Sequence, residues 1–150
     1  MTREVLVSVK GLHVMEAMTE EEIEMISAGK YYNRNGKHYV VYDEAVEGTK
    51  EIVQNYIKLQ DGRMELRKKG PLQTQMIFER DKKNTSWYFT PYGNMLAGIE
   101  VKDMKVNESD DLIEVNVDYS LEMNYEHIAD CSIMVKIMAK DSGLFRLTES

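Results

Sequence analysis

The chain has 150 residues, of which 43% are hydrophobic, and a net charge of −7 at neutral pH; this is the size and composition of one globular domain. The acidic excess disfavours a nucleic-acid partner, and no apolar run is long enough to cross a bilayer, so we predict no membrane contact. Because the N-terminus lacks an apolar signal segment and Cys131 is the sole cysteine, we predict a cytoplasmic protein without disulfides.

Alternation of apolar and polar residues predicts β-strands along most of the chain. A first strand is predicted from about Glu4 to Met15, and a second from about Glu22 to Asn33. Between them, Met15 to Glu22 is the one early helix candidate, with Thr19 as its cap. The start of the chain therefore predicts two strands and at most a short helix.

Pairs of Asn or Asp with Gly predict tight turns between the next strands, because these residues tolerate positive φ angles. Asn35-Gly36 joins the second strand to a third at Lys37–Ala45. Asp61-Gly62 separates a strand that ends near Leu59 from one that begins near Met64. Further strands are predicted at Gln73–Glu79, Thr85–Thr90 and about Leu96–Val106.

The clearest alternation lies in a C-terminal hairpin that turns near Asn124-Tyr125. Apolar residues occupy every second position from Ile113 to Met123. The same spacing continues from His127 to Ile137, which predicts that His127 and Cys131 face the core. Alternation is lost towards the end of the chain, and we predict a flexible or short helical tail at residues 138–150.

Nine or ten strands at short, regular intervals predict a single all-β domain spanning residues 1–150. A sandwich and a barrel both fit this spacing. An antiparallel up-and-down barrel is favoured, because tight hairpins produce a meander and closing a meander removes exposed edges.

Three segments resemble the YwiB-like proteins, a family of small uncharacterised bacterial β-barrels of the calycin group. They are GKYYNRNGKHYVVYDE from Gly29 to Glu44, GPLQTQMIFE from Gly70 to Glu79, and SWYFTPYGNMLAGI from Ser86 to Ile99. The resemblance implies a calycin-like or lipocalin-like barrel, here of about 8–10 strands, in a bacterial cytoplasm and without an established activity. It supplies no ligand, because neither the Gly-x-Trp of secreted lipocalins nor the Arg-x-Tyr of fatty-acid-binding proteins occurs in the matching region.

The sequence contains no recognisable catalytic motif. His13, His38 and His127 fall on separate predicted strands without the paired spacing of metal ligands. A serine-nucleophile elbow and glycine-rich phosphate loops are also missing from the sequence. We therefore predict a non-enzymatic protein with no metal site and no cofactor.

Aromatic residues interleaved with polar ones are the most informative cluster. We predict a binding module that takes a small, largely apolar ligand in the barrel interior or mouth. The candidate contacts are Tyr31, Gln75, Trp87, Tyr88, Thr90 and Tyr92. Ordinary packing of these rings explains the same pattern. The alternative function is a protein-interaction or homodimer module with a filled barrel, using outward-facing residues such as Ile128 and Met134.

Overall fold

The computed structural model describes residues 3–11, 24–45, 48, 50–70, 73–90 and 93–140, with the backbone alone at 24–25 and 88–90. The described residues form ten strands and no helix that could cross a membrane. The strands are β1 (Glu4–Lys10), β2 (Glu24–Arg34), β3 (Lys37–Ala45), β4 (Ile52–Gln60), β5 (Arg63–Lys69), β6 (Thr74–Glu79), β7 (Lys83–Thr90), β8 (Gly93–Glu108), β9 (Leu112–Met123) and β10 (Glu126–Ala139). The predicted all-β fold is confirmed, whereas the predicted helix at Met15–Glu22 lies outside the described residues.

All ten strands belong to one antiparallel sheet that curls into a nearly closed barrel. The order of hydrogen-bonded neighbours is β6-β5-β4-β3-β2-β1-β10-β9-β8-β7. Two meanders, β2 to β6 and β7 to β10, are thus joined through β1, which pairs with β2 on one side and β10 on the other. The seam of the barrel lies between β6 and β7, which are consecutive in the chain and contact each other but end the hydrogen-bonded order.

The two ends of the barrel are built from different connections. We call the end with the Asn35-Gly36 and Asp61-Gly62 turns the lower end, and the end where β3 stops at Ala45 and β4 starts at Ile52 the upper end. Asn35 and Gly36 have φ angles of 54° and 76°, as a two-residue hairpin turn requires. The predicted turn at Asn124-Tyr125 is confirmed at the upper end, where both residues also have positive φ.

Alternation along the strands places one continuous core inside the barrel. The inward residues of β9, from Ile113 to Met123, are all buried, and Phe78 meets Tyr119 edge to face with ring centroids 5.0 Å apart. Full burial of such a side chain contributes about 1.5–3 kcal/mol. Cys131 lies in this core as predicted, and burial raises the pKa of its thiol.

Irregular positions explain where the structure differs from the sequence prediction. β1 ends at Lys10 because Gly11 has a φ of 84° and an added Cβ would collide with the carbonyl oxygen of Ser132. A β-bulge between His127 and Ala129 shifts the register of β10. His127 therefore pairs with the outward-facing Glu122 and lies on the outer surface, so its predicted core position is wrong.

The end of β10 is longer than the sequence pattern indicates. Met138 and Ala139 belong to β10, and the amide of Ala139 donates to the carbonyl of Asp111 at 2.9 Å. Residues 141–150, the rest of the predicted tail, lie outside the described residues.

Candidate functional site

The structure describes the side chains of three of the six predicted ligand contacts, and these three do not share one face of the barrel wall. Tyr31 on β2 faces the interior near the lower end and is 8% exposed. Gln75 on β6 faces outward, where its amide donates to Glu65 at 2.7 Å. Trp87 on β7 pairs with Leu96 on the outer surface and is 55% exposed.

The remaining predicted contacts are described only in part. Tyr88 and Thr90 belong to β7, where their backbones pair with Met95 and Gly93. Tyr92 lies outside the described residues. A ligand site made from the six predicted residues stays a prediction: Tyr31 faces the interior, whereas Gln75 and Trp87 face outward.

Side chains fill the barrel along the β9 and β10 wall. Val115, Val117, Val135 and Ile137 are each at most 1% exposed. A cavity large enough for a ligand would leave the side chains that line it accessible to water. This wall therefore borders no such cavity, and any internal site must lie elsewhere.

An inward-facing set of polar side chains crosses the opposite wall near the upper end. Tyr42 on β3 pairs with Asn55 on β4, and Asn55 pairs with Lys68 on β5. Directly paired residues of an antiparallel sheet share a face, and Asn55 alternates with the buried Ile57. We call Tyr42, Asn55 and Lys68 the polar row.

Asn55 is the unusual member of the polar row. It is 2% exposed, and its side-chain nitrogen finds no hydrogen-bond partner among the described residues. Burying an amide donor without a partner costs about 1–3 kcal/mol. Most buried polar groups are paired, so this donor requires an explanation.

The side chains around Asn55 include one ion pair and one neutral hydrogen-bond donor, so their charges nearly cancel. Lys68 lies 3.4 Å from the carboxylate of Glu44, which is also inward-facing. Burial raises the pKa of the Tyr42 phenol well above its ordinary value, and the charge of Glu44 adds to the rise. Tyr42 therefore keeps its proton at neutral pH and remains a hydrogen-bond donor.

Exposure increases from the middle of the barrel towards the upper end. Ile57 and Leu66 are buried, whereas Val53, Lys68 and Thr74 on the same inward face are partly accessible. Water therefore reaches the interior beside the polar row.

A second inward cluster closes the lower end. The Tyr31 hydroxyl lies 2.5 Å from Nδ1 of His38, and Nε2 of His38 lies 3.4 Å from Glu108. β3 and β8 are far apart in the order of strands, so the His38–Glu108 contact crosses the barrel. Asn33 also donates to the Tyr31 hydroxyl at 3.3 Å. This cluster ties opposite walls together.

A serine, an aspartate and a histidine also meet on the outer surface. The Ser120 hydroxyl donates to Asp130 at 3.1 Å, and Nε2 of His127 lies 3.1 Å from the same oxygen. A catalytic triad needs the histidine to contact the serine, whereas here the aspartate lies between them. The arrangement is also exposed. It is not a nucleophile and base.

Sequence reasoning missed the polar row because its members come from three strands. The spacing of Tyr42, Asn55 and Lys68 is not a motif, and their contact depends on the registers of two hairpins. The available signal was an Asn at an inward position of β4, between Val53 and Ile57. A polar residue that interrupts an apolar alternation marks such a site.

Comparison with known proteins places the fold in a family. A family model described as a domain of unknown function (DUF1934) matches residues 7–135. The crystal structure of the YwiB protein from Bacillus subtilis is similar, with a TM-score of 0.69 and 16% sequence identity, and the match covers 91% of this chain and 89% of that chain. At this identity the likeness shows the fold alone. Curated proteins give no match. The YwiB-like resemblance is confirmed, and the chain belongs to the DUF1934 family.

Proposed function

We propose that the protein is a non-enzymatic binding module that takes a small, largely apolar ligand at the upper end of the barrel. The observation that carries the proposal is the buried side-chain nitrogen of Asn55, which has no hydrogen-bond partner among the described residues. Function-related sites retain costly groups of this kind because a ligand satisfies them. The ligand must therefore bring a hydrogen-bond acceptor to Asn55.

The polar row favours a neutral acceptor. Asn55 and Tyr42 present neutral donors, and the charge of Lys68 is balanced by Glu44 at 3.4 Å. A carboxylate head group would meet repulsion from Glu44, whereas the carbonyl oxygen of an amide or ester would not. We assign the ligand class as a carbonyl group on an apolar body, with Val53 among the apolar lining.

The test compares decanamide, methyl decanoate and decanoate as probes. We expect the two neutral probes to raise the melting temperature of the wild-type protein and to bind more tightly than decanoate in calorimetry. Asn55→Leu removes the donor and should weaken decanamide binding about tenfold. Gln54→Leu, at the neighbouring outward position, is the matched control and should leave binding unchanged.

The stability of the free variants provides an independent readout. Because Asn55→Leu replaces an unpaired buried amide by an apolar side chain of similar size, we expect its free energy of unfolding to rise by about 1–2 kcal/mol. Failure of all three probes to stabilise the wild type would overturn the proposal. So would equal decanamide binding by Asn55→Leu, or a loss of stability in that variant.

A homodimer is the second candidate, and it is favoured by an apolar patch on the outer surface. Trp87 pairs with Leu96, whose backbone amide donates to Oδ1 of Asn124 at 3.0 Å. The neighbouring Tyr125 is 81% exposed. Such a patch suits an isologous interface. We expect concentration-dependent sedimentation that Trp87→Ser abolishes; a monomer at all concentrations would exclude the dimer.

A further inference from the structure

The cations of this acidic protein are concentrated on one outer wall. Between residues 26 and 69, alternation along β2 to β5 turns almost all charged side chains outward. The outward cations on these strands are Lys30, Arg34, Lys37, Lys58, Arg63, Arg67 and Lys69, and the outward carboxylates on them are Asp43 and Glu65; the connections add the exposed Lys50, Glu51 and Asp61. We call this surface the basic wall. A net charge of −7 for the whole chain therefore does not describe this face.

Three tyrosines lie among the cations of the basic wall. Tyr32 and Tyr39 are cross-strand partners, and Tyr56 lies one row further along on β4. Each ring has a cation above it: Arg3 at 5.3 Å from the Tyr32 centroid, Lys58 at 5.8 Å from Tyr39, and Lys69 at 5.4 Å from Tyr56. Planar groups and positive charges thus alternate across the wall.

The wall is grooved. A depression of about 260 Å³ is lined by Tyr39, Tyr56, Lys58 and Arg67, among others. A second of about 450 Å³ shares Val41 with the first, and a third of about 480 Å³ shares Tyr32 with the second. Neighbouring depressions thus share one lining residue each, and we call the series of three, which extends from β2 to β5, the path.

Several cations along this path are not neutralised within the described part of the chain. Lys30, Arg34, Lys37, Lys58 and Lys69 form no ion pair with a described carboxylate. The pKa of the Tyr32 phenol agrees with an excess of positive charge on the wall. A hydrogen bond from Arg3 lowers this pKa, and the charges of Arg3, Lys30 and Arg34 lower it further. The wall therefore carries a net positive field.

We propose that the basic wall binds single-stranded RNA. Unpaired bases stack on aromatic rings while cations contact the phosphates, and both elements are present along the path. A duplex hides the faces of its bases, so partly exposed rings such as Tyr32, Tyr39 and Tyr56 favour a single strand. Asp43 in the second depression offers an acceptor for the 2′-hydroxyl, which DNA lacks. This site lies on the outer surface of the barrel, and the second depression also borders Tyr42 of the polar row.

An acidic surface on a second copy of the chain fits the wall less well. The acidic outer face of β8 to β10 has carboxylates that are already engaged: Asp118 accepts from Ser132, Asp130 from Ser120, Glu122 pairs with Lys83, and Glu100 with Lys102. RNA, with free phosphates and planar bases, matches the wall in charge and in shape.

The test measures the binding of a fluorescent uridine oligomer by anisotropy at about 50 and 200 mM salt. We expect binding that weakens with salt, and Lys58→Gln should make this dependence shallower by about 0.7 in the logarithmic slope. Tyr39→Leu should weaken binding about 5- to 100-fold, the loss of one stacked base. The thymidine oligomer should bind more weakly than the uridine oligomer.

Two variants on the opposite wall are the matched controls. Trp87→Leu removes a more exposed ring, and Lys102→Gln removes a cation, so both should bind RNA as the wild type does. Circular dichroism confirms folding of every variant. No binding at low salt, equal loss in Trp87→Leu and Tyr39→Leu, or equal binding of DNA would overturn the proposal. Low-salt self-association that Lys58→Gln abolishes, without RNA binding, would assign the wall to a second copy instead.

Discussion

At the scale of single residues, Tyr31, which the sequence predicts to contact a ligand, instead forms a buried hydrogen bond with His38. Tyr31 is buried, and its hydroxyl is within 2.5 Å of Nδ1 of a histidine that is also buried. Since His38 reaches Glu108 through its other nitrogen, the hydroxyl is one link of a chain that leads from the core to the surface. Removing it leaves a ring nitrogen unpaired.

Tyr31→Phe should therefore lower the free energy of unfolding by about 1–3 kcal/mol. Urea denaturation measures the change. Tyr56→Phe is the matched control, because its hydroxyl donates to Gln54 at an exposed position, and its effect should stay within about 0.5 kcal/mol. Equal effects in the two variants would contradict a structural role for the buried pair.

Glu65 connects ionisation to stability. Burial would raise the pKa of its carboxyl, but a hydrogen bond from Gln75 and the charges of Arg67 and Arg63 outweigh burial and lower it. A carboxyl whose pKa is lowered by folding stabilises the protein above the unfolded pKa, about 4.3, and this stability is lost as pH falls through the folded pKa.

We expect wild-type stability to fall below about pH 4.3 more steeply than that of Glu65→Gln, which has no proton to take up. Denaturation curves between neutral pH and about pH 3 provide the comparison. Parallel pH profiles for the two proteins would show that Glu65 does not contribute to the acid response.

At the scale of elements, the β9–β10 turn contains a residue poorly suited to its backbone. Tyr125 has a φ of 70°, in the left-handed region where residues with a Cβ are strained, and its side chain is 81% exposed. The β2–β3 turn has Gly36 at the equivalent position, with a φ of 76°. Both hairpin turns thus need a residue with positive φ at this position, which is glycine in one turn and tyrosine in the other.

Tyr125→Gly should raise the free energy of unfolding by about 0.5–1 kcal/mol, because relief of left-handed strain exceeds the added entropy of glycine in the unfolded chain. Gly36→Ala, the reciprocal change, should lower it. Thermal unfolding of both variants measures these shifts. A stabilised Gly36→Ala protein would contradict the argument.

The strands were predictable from local alternation, and their irregularities were not. The sequence correctly predicts the turns at Asn35-Gly36 and Asn124-Tyr125, because turn chemistry acts over a few residues. His127 was misplaced because a bulge needs the partner strand to define it. Contacts such as His38–Glu108 join residues far apart in sequence, so no local pattern contains them.

The clustering of cations and tyrosines on one face of the sheet could have been predicted from the sequence. Lys30, Tyr32 and Arg34 alternate on one strand, and Tyr56 with Lys58 repeats the pattern on another. Period-two spacing of cations and rings places them on one face of a sheet. The prediction of no nucleic-acid partner rests on the net charge of the whole chain, which does not report how the charges are distributed, and it stays a prediction.

At the scale of the whole molecule, the barrel has one unpaired seam. β6 pairs with β5 and β7 pairs with β8, but the two do not pair with each other in the described sheet. Backbone groups that face the seam lack the ladder that protects those of β9 and β10. Local opening should therefore begin there.

Hydrogen exchange followed by NMR tests this expectation. Alternate amides of β6 and β7 should exchange well before the amides of β9, which is paired on both sides. Addition of a ligand that binds at the upper end should slow exchange in β5 more than in β9. Uniform protection of all ten strands would contradict an open seam.

Because the seam lies between two strands that are consecutive in the chain, the connection between β6 and β7 can be cut without loss of a strand pairing. Glu4 and Lys140 are joined by a backbone hydrogen bond of 3.1 Å, so the first and last described strands meet side by side. β6 and β7, which the turn at residues 80–82 connects, do not pair with each other in the described sheet. A circularly permuted chain, linked between these strands and opened at Asp81, would keep every strand pairing of the native sheet. The order in which the strands are synthesised is thus separable from the order in which they pair.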